Sequence, residues 1–156
     1  GLRLAISAVK AIELAYDVPV YGISTLEMYE YCFKDFDLPV LSCVDANKDR
    51  FYARLKDGKK LILEDGDWEL EKIYSTVKKI KNLIVCGPDR IKLCELIKAQ
   101  NKKINLFLPA VNIITTEALF DIAEKNKTAS IPPLKDFDGP VYLRASEAEI
   151  KQNSKD

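Results

Sequence analysis

LPVLSCVDANKDRFYARLKDGKKLIL, residues 38–63, decides the fold. Residues 38–44 are apolar and read as a buried strand. Asp45-Ala46-Asn47-Lys48-Asp49 has turn composition, because short polar side chains bond their own backbone and tolerate left-handed conformations. Residues 50–55 alternate and form the antiparallel partner. Asp57-Gly58 makes the next turn, and residues 60–63 a third strand.

Working outward, the chain before this meander is helical. LRLAISAVKAIELAY, residues 2–16, is rich in Ala and Leu and holds no Gly or Pro. Its polar residues Arg3, Ser7, Lys10 and Glu13 make one narrow stripe, so its apolar arc is wider than one packing layer requires. VPVYGIS, residues 18–24, reads as a short buried strand. Ser24 or Thr25 caps a second helix, with Glu27 in its first turn, running to about Phe33.

Beyond the meander the period changes at Trp68. Leu70, Ile73, Val77 and Ile80 mark an amphipathic helix of about a dozen residues. Residues 83–86 are a buried strand closed by Gly87-Pro88-Asp89, with Asp89 capping the helix that carries Ile91, Leu93, Leu96 and Ile97. Residues 104–108 form another strand and 112–125 another helix. After Pro132-Pro133 the chain is loop-like, and residues 150–156 form a polar tail. The order predicts an α/β fold, a mixed sheet flanked by helices on both faces.

Composition narrows the function. The 156 residues hold 24 Lys plus Arg against 24 Asp plus Glu, so no global basic excess advertises a nucleic-acid coat. No apolar run approaches the roughly 20 residues of a membrane helix, and no signal peptide is read. Histidine is absent, which removes Ser-His-Asp and Cys-His nucleophiles, His bases and His metal sites. Cys32, Cys43, Cys86 and Cys94 contain no Cys-x-x-Cys pair, so neither zinc nor thioredoxin-like chemistry is expected. Cys43 and Cys86 read as core residues and Cys94 as inert, all as reduced thiols of a cytoplasmic protein. The chain opens at Gly1, already inside a helical pattern, and is expected to be a piece whose N-terminal part is missing.

Several segments resemble one family. GLRLAISAVKAIELAYDVPVYGISTLE is similar to the stretch after a glycine-rich loop in TsaB (YeaZ) proteins, non-catalytic subunits of the machinery that makes threonylcarbamoyladenosine in tRNA. VLSCVDANKDRFYARL resembles the family's strand-turn-strand, LIVCGPDR its strand ending in Gly, and GPVYLRASEAE its C-terminal signature. The resemblance implies an actin-like, Hsp70-like ATPase architecture with lobes of ribonuclease-H-like topology, here truncated. Residues 1–34 would be the remainder of the N-terminal lobe, 38–135 the C-terminal lobe, and 136–156 a C-terminal extension and tail.

The resemblance also implies roles. The catalytic paralogue TsaD carries a metal-binding His-x-x-x-His, and Thr25 and Tyr29 stand in its place; neither replaces an imidazole. No catalytic residue, metal or cofactor is therefore expected, and the peptidase name attached to such proteins is not supported by these residues. The partner interface is expected on the first helix, at Leu2, Ile6, Val9, Lys10 and Glu13. The partners would be TsaD in a heterodimer and the associated ATPase TsaE, with a homodimer as a further form and tRNA met only through the complex.

Other features have ordinary explanations. Asp45 and Asp49 belong to a turn, and Trp68 and Tyr74 pack the second lobe. Lys78, Lys79, Lys81, Lys98, Lys102 and Lys103 read as solvated faces near helix ends, with a contribution to tRNA contact as the alternative. Two other functions stay open: a phosphotransferase of the same superfold, and a stand-alone homodimeric binding protein.

Overall fold

The computed structural model describes residues 1–110 and 116–144. The chain divides into two compact units. One holds Gly1–Ile23 with the described residues from Leu119 on, the other Ser24–Ala118.

The second unit is built on a five-stranded mixed sheet. Its strands are β1 (Val40–Asp45), β2 (Arg50–Asp57), β3 (Lys60–Glu69), β4 (Asn82–Cys86) and β5 (Asn105–Phe107), in the order β3-β2-β1-β4-β5. β1, β2 and β3 pair antiparallel as a meander, whereas β4 lies parallel to β1 and β5 parallel to β4. The helices of this unit, α2 (Thr25–Tyr31), α3 (Leu70–Val77) and α4 (Arg90–Gln100), separate from the meander in sequence and cover the sheet. This strand order defines the ribonuclease-H-like sheet of the actin-like ATPase fold.

Alternation along the strands creates two faces. Leu41, Cys43, Phe51, Ala53, Leu55, Leu83 and Val85 point one way and pack with Ile73, Val77, Leu93 and Ile97 of α3 and α4. Val40, Ile84 and Cys86 point the other way and are covered by Tyr29 and Phe33. Cys43 and Cys86 are thus core residues, as the sequence implies, and Cys94 is buried beside the larger cluster.

The hairpin between β1 and β2 turns through Asn47, Lys48 and Asp49, all in the left-handed region. Ala46 and Arg50 close it, the Ala46 N–H donating to Arg50 O at 2.9 Å. At the β4–α4 corner Gly87 has φ +103°, and a side chain there would overlap the Cys43 carbonyl. Only glycine lets the two parallel strands approach so closely.

β3 is ten residues long, not four. The Glu64-Asp65-Gly66-Asp67 stretch has the composition of a turn, but its acids pair across the sheet: Asp65 with Arg54, and Asp67, together with Glu69, with Arg50. Trp68 consequently belongs to this strand, where it packs against the core and its indole N–H donates to Glu64 O. α3 begins only at Leu70 and covers eight residues, shorter than the period suggests. Asp89 does not cap α4 with its side chain. Its carboxylate instead accepts the Asp45 N–H at 2.8 Å, tying the ends of β1 and β4 together.

In the first unit, α1 spans Leu2–Tyr16, as the sequence predicts. Residues 18–24 are extended but form no strand among the described residues. An apolar run becomes a strand only where a neighbour completes its ladder, and here Leu134 supplies one bond, its N–H donating to Val20 O at 2.8 Å. α5 (Thr116–Thr128) starts after the expected 112–115, which lie outside the described residues, as does the tail at 150–156.

Candidate partner interface

α1 carries no buried residue. Its polar stripe is the side applied to the unit's own chain. The Lys10 ammonium donates to Leu134 O at 2.8 Å and pairs with Glu13 at 2.7 Å. The Arg3 guanidinium lies 5.6 Å from the centre of the Tyr142 ring, and the Ser7 hydroxyl donates to Arg3 O. Ile6, Lys10 and Glu13 are half-buried on that side.

The opposite arc is open. Leu4 is 78% exposed, Ile12 53% and Tyr16 74%, with Leu2 and Val9 also exposed. Ala5, Ala8, Ala11 and Ala15 fill the gaps between them, and no charged residue interrupts the arc. A surface helix normally turns its apolar stripe inward; α1 does the reverse. Contiguous exposed apolar surfaces are in general characteristic of interaction sites.

The five residues expected at the interface therefore divide. Leu2 and Val9 lie on the open arc, whereas Ile6, Lys10 and Glu13 sit against the Leu134 segment. Leu4, Ile12 and Tyr16 were not singled out by the sequence. The signal for them was present, since all three stand opposite the polar stripe at 100° per residue.

Thr25 and Tyr29, expected in place of the paralogue's metal ligands, lie one turn apart on α2. Thr25 is exposed at the start of α2, its preceding Ser24 hydroxyl accepting from the Leu26 and Glu27 N–H groups. Tyr29 is buried in the apolar cluster beneath the helix. No group of three His, Cys, Asp or Glu side chains suited to a metal occurs among the described residues.

Beside Tyr29, α2 presents a buried carboxylate. Glu30 accepts from Arg54 Nε and Lys56 Nζ, both at 2.7 Å. Arg54 Nη1 reaches Asp65 at 2.7 Å, and Asp65 accepts the Ser24 hydroxyl. Burial lowers the Arg54 proton affinity, but the bonds to Asp65 and Glu30 outweigh it and raise the net value. Two acids and two bases cancel, so the network anchors α2 to the sheet without leaving a reactive group.

The pair Asp45 and Asp49 is divided by its surroundings. Asp45 accepts from Lys92 Nζ at 2.6 Å and from the Asn47 N–H, and the Lys92 bond holds its carboxyl below the usual range. Arg90, almost fully buried, donates to Pro109 O, Gly87 O and Ala110 O at 3.0, 3.1 and 3.3 Å. It pins the residues after β5 to the β4–α4 corner.

The fold is that of an α/β protein of the actin-like ATPase superfold, with a helix whose apolar arc is exposed. The family model for TsaD, tRNA N6-adenosine threonylcarbamoyltransferase, matches residues 1–137, and the chain belongs to this family. In fold it resembles the crystal structure of an uncharacterized protein with similarity to peptidase YEAZ from Pseudomonas aeruginosa. The TM-score is 0.69 at 19% identity, covering 92% of this chain and 68% of that one. Comparison with curated proteins finds no match.

Proposed function

We propose that the chain is a non-catalytic partner subunit of the assembly that transfers a threonylcarbamoyl group to N6 of an adenosine in tRNA. It docks on the metal-binding member of its family through α1 and holds that member in its active conformation. The outward apolar arc of α1 carries the reading, because burying a side chain such as Ile12 or Leu4 contributes about 1.5–3 kcal/mol. Family membership supports tRNA modification as the setting, and Thr25 and Tyr29 at the ligand positions support a supporting role without chemistry.

The test is size-exclusion chromatography with light scattering, on the chain alone and mixed with the His-x-x-x-His member from the same organism. A heterodimer is expected, weakened roughly 100-fold by Val9→Asp plus Ile12→Asp. Absence of a complex at micromolar concentrations overturns the proposal. A homodimer that ignores the second protein favours the stand-alone binding protein instead.

A further inference from the structure

The second unit distributes its charges unevenly between the two ends of the sheet. At the C-terminal ends of β1 and β4 three of the cations are occupied, while Lys48 of the β1–β2 turn is exposed. Arg50 pairs with Asp67 and Glu69, Lys92 with Asp45, and Arg90 is held by three carbonyls. At the other end, the turns entering β4 and β5 carry Lys78, Lys79, Lys81, Lys98, Lys102 and Lys103. None of the six makes an ion pair among the described residues.

The sheet brings these lysines side by side. β4 and β5 are adjacent and parallel, with Asn82 opposite Asn105. The Asn105 N–H donates to Lys81 O at 2.9 Å, and its side-chain amide donates to Asn82 Oδ1 at 2.9 Å. The Lys103 N–H is fixed on Asn101 Oδ1 at 3.0 Å. The 78–81 and 101–104 turns are therefore locked against each other, about one strand spacing of 4.8 Å apart. The acids of this end, Asp35, Asp37 and Asp57, stand on the β1–β2 side, and Glu95 lies a turn earlier on α4.

Helix-dipole compensation does not account for the cluster. Lys98 lies in the last turn of α4 and Lys78 caps α3, but the other four follow the helix ends. The dipole's attraction falls off within that last turn. Five of the six are exposed. A neutral chain that gathers six cations without ion pairs at one end of a sheet can present a polyanion site that its total charge conceals.

We propose that this lysine ridge is a tRNA-binding surface that contacts the phosphate backbone. The choice of polyanion rests on the proposed role in tRNA modification. Lysine side chains in turns supply position and affinity without base selection, which is how phosphate contacts work. The ridge would orient tRNA, and base recognition would come from elsewhere in the assembly.

The test is fluorescence anisotropy with a labelled, unmodified tRNA transcript. It is run across a salt series on the chain alone and on its mixture with the His-x-x-x-His member. Two variants are used, Lys79→Glu/Lys81→Glu and Lys102→Glu/Lys103→Glu, with Lys127→Glu in the first unit as a control. Each double variant is expected to weaken binding at least tenfold and to flatten the salt slope by roughly one for every phosphate no longer neutralised. The control is expected to bind as the parent does. Glutamine at the same positions should give the same ordering with smaller effects, which separates charge from misfolding. Unchanged affinity in the double variants overturns the proposal, as does an equal weakening in Lys127→Glu. Ridge-dependent binding to phosphatidylserine vesicles without tRNA binding also overturns it. Should no complex form on the sizing column, the partner-subunit reading fails, and the titration of the chain alone still decides the ridge.

Discussion

Glu30 of α2 and Arg54 of β2 meet at 2.7 Å in a site where the carboxylate side chain is only 5% exposed. Breaking a buried pair strands a charge, which costs about 3–5 kcal/mol, whereas replacing both partners by apolar groups is often neutral. Glu30→Ala is therefore expected to lower stability by about 3 kcal/mol in urea unfolding. Glu30→Leu with Arg54→Met should recover part of that loss, since it leaves Asp65 and Lys56 without these partners. Equal losses in the single and double variants would show that packing, not charge, sets the cost.

Two glycines with positive φ should respond very differently to alanine. At Gly58 a Cβ meets open space, so Gly58→Ala should cost only about 1 kcal/mol. At Gly87 a Cβ collides with the backbone of Cys43, which cannot swing aside. Gly87→Ala should cost about 4 kcal/mol or more, by the same unfolding measurement. A Gly87 variant no worse than the Gly58 one would refute the close approach of β1 and β4.

The Asp45–Lys92 pair makes a pH prediction. Its folded carboxyl is held below the usual value by the Lys92 bond. A depressed folded pKa gives stability that is present above the unfolded value, about 4, and is lost as pH falls through the folded one. Asp45→Asn should therefore lower the melting temperature at about pH 7 and leave it nearly unchanged at about pH 2. An identical shift at both pH values would mean the pair contributes nothing.

The thiols should differ sharply in reactivity. Burial pushes Cys43 well up, Cys86 to about 12 and Cys94 to about 12, so none supplies thiolate near neutrality. Cys32 is half-buried, its thiol turned to Met28 O. A disulfide reagent should modify Cys32 alone in the native protein and all four cysteines after unfolding. Fast native reaction at Cys86 would contradict the core described for the α2 face.

Much of the fold was legible because it follows local rules. α1 has helix formers throughout and a left-handed Asp17 at its end, and its sequence bounds coincide with those found. The β1–β2 hairpin was readable from the turn residues at 45–49. What failed depended on distant partners. Residues 18–24 are apolar enough for a strand, yet strandedness belongs to a ladder and not to a segment. The sequence reading ends the third strand at residue 63, because the arginines that satisfy the acids beyond it lie on another strand. The apolar arc of α1 was legible as too wide, but which half the unit's own chain would cover was settled by Leu134, more than a hundred residues away.

The strand order carries a consequence for how the sheet assembles. β1, β2 and β3 need only short turns to find each other, so the meander can form early and locally. The seam between β1 and β4 instead joins Cys43 to Cys86, across a separation of 43 residues, and the chain must close that loop before the pairing returns anything. The seam at the centre of the sheet is thus expected to form after the meander. Damage at Gly87 should then act chiefly by hastening unfolding, leaving the folding rate almost untouched.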